Sequence, residues 1–155
     1  MPQTVTIVID KTKAIKRFEQ AAWKTARMLK QPNSVEQVWN LQADHEENAD
    51  NDLMNASFEQ HIWEGVYIIS EYLASEPSYG TASHSSELTI TLTVPSHWVI
   101  HSAPGLKYEM LELVHNGMMA DWLDSMKPDQ SKAYRQQAEL SKAKIKSIIY
   151  ALNAP

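Results

Sequence analysis

Glu87-Leu88-Thr89-Ile90-Thr91-Leu92-Thr93-Val94 alternates threonine or glutamate with an apolar residue through four pairs without an error. Successive side chains of a strand point to opposite faces, so this pattern reads as a half-buried β-strand with one apolar face. Pro95 ends it, because proline cannot donate into a hydrogen-bonded ladder. A strand needs a partner, and the other β-branched run is Thr4-Val5-Thr6-Ile7-Val8-Ile9. Residues 4–9 and 87–94 are therefore expected to form a two-stranded antiparallel sheet. A sheet that small is stable only when it rests on helices.

The rest of the chain supplies those helices. Asp10 stands where a helix cap belongs, and Ile15, Phe18, Ala22 and Leu29 recur at helical spacing up to about residue 30. Ser34 can cap a short helix carrying Val35, Val38, Trp39 and Leu41. Met54, Phe58, Ile62, Val66, Ile69 and Leu73 make a further helical stripe. Leu106, Met110, Leu111, Leu113, Val114, Met118, Met119, Trp122 and Leu123 occupy almost every face of one helix over 106–126, which belongs at the centre. Tyr134, Ala138, Ser141, Ile145, Ile149 and Leu152 form the last, amphipathic helix. Residues 75–86, with Pro77, Gly80 and five serines, read as a flexible loop. The expectation is one α+β domain over 1–155, predominantly helical, with about five helices. Trp63, Trp98 and Trp122 are its expected structural anchors.

Composition narrows the function classes. The chain has 155 residues, enough to bury a core without staples, and no cysteine, which excludes disulfides, thiol nucleophiles and zinc ribbons. No apolar run approaches the roughly 20 residues needed to span a bilayer, and Met1-Pro2-Gln3-Thr4 does not open a signal peptide. Net charge is -5, but its distribution matters more. Residues 11–30 hold seven basic side chains against Glu19 alone, and residues 31–106 hold eleven acids with no Lys or Arg. Two readings follow. Either the basic first helix lies beside the acidic middle helix and the charges neutralise within one molecule, or opposite faces meet head to tail between copies. On the second reading Lys16, Arg17, Lys24 and Arg27 face Glu59, Glu64 and Glu71 of a neighbour.

Catalytic and cofactor motifs are sparse. His97 and His101 have the i, i+4 spacing of a metal pair, but Pro95 and Pro104 flank them and no Glu stands between. Asp44 to Asp52 has the acidity of a calcium loop without its sixth-position glycine, and Asn55 replaces the bidentate Glu. There is no Gly-x-Ser-x-Gly elbow, and the glycines are too scattered for a phosphate cradle. No cofactor, resident metal or small-molecule substrate is expected. A basic helix can touch phosphates, but the acidic middle repels nucleic acid.

Leu92-Thr93-Val94-Pro95-Ser96-His97-Trp98, the Met119-Ala120-Asp121-Trp122-Leu123 helix and the Ala133-Tyr134-Arg135-Gln136-Gln137-Ala138-Glu139 helix together resemble small structural proteins of prophages and tailed phages of gut Bacteroidetes. The resemblance covers roughly residues 54–150 and departs at the end, where Ala151-Leu152-Asn153-Ala154-Pro155 replaces a basic tail. It implies a non-catalytic virion subunit of the head-tail connector or neck adaptor kind, assembled from copies of itself or with other virion proteins. Such a subunit is found in the virion or the bacterial cytoplasm. Two alternatives stand beside it: a small helical module that binds a protein partner, and a metal-dependent enzyme using His97, His101 and a carboxylate of the middle helix.

Overall fold

The computed structural model describes residues 2–29, 51–98, 102–124 and 127–150, with backbone alone at 26–29 and 51–52. Strand β1 (Gln3–Asp10) leads directly into helix α1 (Lys11–Leu29). Asp10 Oδ1 accepts a hydrogen bond from the backbone N–H of Lys13 at 3.2 Å, as an N-cap does. Helix α2 (Asn51–Ile68) follows, then strands β2 (Ser78–Tyr79) and β3 (Glu87–Val94), and helices α3 (Ser102–Leu123) and α4 (Pro128–Tyr150).

The expected pairing is present and antiparallel, running from Gln3 opposite Val94 to Asp10 opposite Glu87. Opposed residues share a face, so Val5, Ile7 and Ile9 join Leu88, Ile90, Leu92 and Val94 on the buried side. The threonines of both strands take the other face. Burying each of those aliphatic side chains stabilises the fold by about 1.5–3 kcal/mol.

Two expectations about the elements need correction. The sheet has three strands in the order β1-β3-β2, not two, because Ser78 and Tyr79 of the segment 75–86 pair with Thr89 and Leu88. Leu73 also bridges Leu92. A two-residue strand within a serine-rich stretch has no alternation to reveal it; pairing with β3 creates it. The described residues hold four α-helices rather than about five, and the helix expected over 35–41 lies outside them.

Helix α3 is the central element. Leu106, Met110, Leu113, Val114, Met118, Met119, Trp122 and Leu123 are all fully buried, packed between α4, α2, α1 and the β1 side of the sheet. Trp122 meets Phe18 of α1 edge to face, ring centroids 6.3 Å apart, the arrangement that aromatic quadrupoles favour. Trp98 is buried as well and lies under α4, its indole Nε1 donating to the carbonyl of Ile148 at 3.5 Å. Trp63 is not a core anchor: it is 38% exposed on α2 and donates its Nε1–H to Glu59 Oε2 at 2.8 Å. Its position falls outside the 54, 58, 62, 66 stripe, and that decides its side.

Candidate functional site

Three polar constellations organise the surface of this fold. The first joins α2, α3 and α4. His61 is buried, with Nδ1 2.6 Å from Glu64 Oε1 and Nε2 2.8 Å from Asp121 Oδ2. Ser57 Oγ donates to the same Asp121 oxygen at 2.7 Å, Arg135 reaches Asp121 and Asp124, and Lys142 donates to Glu64 at 3.0 Å. Burial opposes the charge on His61, but the hydrogen bonds and attraction of Asp121 and Glu64 outweigh it and raise its pKa. Burial raises the pKa of Glu64 and Asp121, but Lys142 and His61 outweigh it at Glu64, and His61, Ser57 and Arg135 outweigh it at Asp121, so both are lowered. When the ring is protonated both its nitrogens donate to carboxylates, and Ser57 bonds to Asp121 rather than to the histidine. This chain of contacts is a clamp between helices, not the geometry of an activated serine.

The second constellation centres on Glu59. Its Oε1 accepts from Lys11 Nζ at 2.9 Å and from Tyr79 Oη at 2.5 Å, and its Oε2 accepts from Trp63. One carboxylate of α2 thereby holds the start of α1 and strand β2. Burial raises the Glu59 pKa, but its three donors outweigh that and lower it.

The third is a half-open cavity of about 350 Å³ between α1, α3 and the end of the sheet. Lys13 and Arg17 of α1 face Lys107, Leu111 and His115 of α3 across it. The i, i+4 spacing on both helices places these side chains in two facing rows. Burial, reinforced by the charge of Arg17 and opposed by Glu112, pushes the pKa of His115 down to about 4. That ring is neutral at neutral pH.

The residues expected to meet a neighbour divide into two groups. Arg17 bonds to Glu112 of its own α3 at 2.7 Å, Glu59 to Lys11, and Glu64 to Lys142 and His61. These three charges have partners within the molecule, though not one another. Lys16, Lys24 and Glu71 are exposed. Arg27 belongs to α1, but its side chain lies outside the described residues, as does His101 of the expected metal pair. His97 is exposed in the turn closed by the Trp98 N–H to Pro95 carbonyl bond, so the 97–101 pair does not begin on a helix.

Sequence reasoning missed the His61 clamp and the facing rows of the cavity. His61 and Glu64 stand three apart on a helix, a local signal, but Asp121 lies sixty residues away, and only the packing of α2 on α3 brings it in. Comparison with protein-family models, curated proteins and solved structures finds no match.

Proposed function

We propose that the chain is a non-catalytic assembly subunit that associates head to tail with copies of itself, in the connector-like role of a phage or prophage particle. One observation carries this reading. The outward face of α2 presents Leu53, Ala56, Trp63 and Tyr67 in register, with Gln60 the one polar member. Leu53 is 51% and Tyr67 79% exposed. Tyrosine and tryptophan are enriched in interfaces, and a helix face of this kind favours a partner over water.

The occupant is the basic face of α1 from the next copy. Lys16 and Lys24 project from that face, and lysines over indole and phenol rings gain cation-π attraction. Glu71, exposed beyond the end of α2, adds charge complementarity. Two different faces of one molecule meet, so the contact is heterologous and closes into a ring when the rotation allows. The paired residues Arg17, Glu59 and Glu64 shape these faces while their charges are satisfied internally. The particle itself is named by the resemblance of the Pro95-Ser96-His97-Trp98 turn and the helices after it.

Light scattering on a sizing column at about 50 and about 500 mM salt tests the contact. An oligomer is expected at low salt, weakened at high salt. Tyr67→Glu, and Lys16→Glu with Lys24→Glu, should each yield monomers. A monomer under both conditions, or variants that associate like the parent, would overturn the reading.

A further inference from the structure

The cavity between α1 and α3 has a composition that assembly does not use. Its walls are apolar where Val8, Ala14 and Leu111 meet, and its rim carries three cations, Lys13, Arg17 and Lys107. Two acids, Asp10 and Glu87, also border it and keep their negative charge on the sheet side, each held by a partner of its own. Asp10 caps α1 and accepts from Ser86 Oγ at 3.2 Å, while Glu87 lies 3.0 Å from His84 Nδ1. Arg17 is held by Glu112. Lys13 and Lys107 have no carboxylate within ion-pair distance among the described residues. His115 adds no positive charge at neutral pH, and its buried Nδ1 has no hydrogen-bond partner among the described residues.

Cations on facing helices over an apolar wall suit one chemical class. We propose that this cavity binds a small amphipathic oxyanion, its head between Lys13 and Lys107 and its apolar body against Val8, Ala14 and Leu111. The volume lies at the lower end of the range for small-molecule sites. Lys13 and Lys107 are both exposed, so they attract an anion with the strength of surface charges, an attraction that salt weakens. The apolar wall adds about 25 cal/mol for each Å² of ligand surface it covers. Carboxylate and phosphate heads share this chemistry. The inference does not rest on assembly, whose contact invokes Lys16 and Lys24 rather than Lys13 and Lys107.

The test is titration of the full chain with octanoate, octyl phosphate and 1-octanol, followed by NMR of the His115 imidazole and the Leu111 methyls. At least one anion should give saturable shifts at both residues and bind about tenfold more tightly than octanol, a difference of about 1.4 kcal/mol. The stronger of the two identifies the head group. Lys13→Gln and Lys107→Gln should each weaken the anion several-fold, leaving octanol binding and the urea midpoint unchanged. Octanol binding as tightly as both anions, absence of saturable shifts at His115, or indifference of the anions to both lysines would each overturn the proposal.

Discussion

Gly117 of α3 lies against the imidazole of His61 on α2, so closely that a Cβ on the glycine would sit 2.5 Å from His61 Cγ. The ring cannot swing aside freely, because Glu64 and Asp121 hold both its nitrogens. The absence of a side chain at 117 is thus what lets the two helices approach with the imidazole held between them.

Gly117→Ala places two effects in opposition. Alanine gains about 1 kcal/mol of helix propensity, while overpacking costs about 1–3 kcal/mol. With the ring held on both sides the clash should win, lowering the urea midpoint. In a His61→Ala background the sign should reverse, and a double-mutant cycle measures the coupling. Equal destabilisation in both backgrounds would place the cause elsewhere.

The two histidines should shape stability against pH in opposite senses. His61 has a folded pKa above its ordinary value of 6.5, so its contribution is full below about 6.5 and is lost as pH rises through the folded value. His115, at about 4 in the fold, is protonated first in the unfolded chain. Its neutral burial leaves stability full above about 6.5, falling as pH drops toward about 4. Glu64 and Asp121, with lowered pKa values, add a decline at still lower pH, as pH falls through their folded values. Urea unfolding from about pH 4.5 to 8.5 should therefore show His61→Gln losing the alkaline decline and His115→Gln losing the decline below about 6.5. Imidazole NMR titrations assign each limb, and an unshifted His61 titration would sink the clamp as the cause.

Glu59 ties three donors from three places, so removing its carboxylate should cost more than a surface ion pair does. Glu59→Leu leaves Tyr79 and Lys11 without their acceptor, an expected loss of about 1–3 kcal/mol. Hydrogen exchange should quicken in β2 before it does in β3, because β2 has only two residues of ladder. Uniform exchange across both strands would show that Glu59 does not anchor β2 locally.

How much of this was legible in the chain follows from the range of each interaction. The β3 strand and its pairing with β1 were readable because alternation fixes which face is buried, and register follows from matching apolar faces. The burial of α3 was visible in its apolar residues on every side. Strand β2 was hidden because its two residues carry no period and Tyr79 is fixed by Glu59, twenty positions earlier. The charge segregation was visible in full, but its meaning only in part: Lys11 of the basic stretch does meet Glu59 of the acidic one, whereas Arg17 pairs with Glu112, an acid outside the acidic stretch, and Glu64 with Lys142, a base outside the basic one. Composition ranks the charges of segments, but only packing chooses partners. The cavity was illegible for the same reason, since its rows come from α1 and α3, some ninety residues apart.

The pairing of Gln3 with Val94 also sets the order of events at birth. Synthesis at roughly 5–20 residues per second leaves β1 waiting on the order of 5–18 s for its partner to be made. Through that interval Thr4-Val5-Thr6-Ile7-Val8-Ile9, uncharged and β-branched, is the kind of segment that pairs promiscuously with copies of itself. The basic α1 directly behind it carries charge that keeps neighbouring nascent chains apart, a gatekeeping role complete before the sheet exists. Helices can form locally as they emerge, whereas the sheet closes only when the two ends of a ninety-residue loop meet, and that closure is the slow step expected of the whole fold.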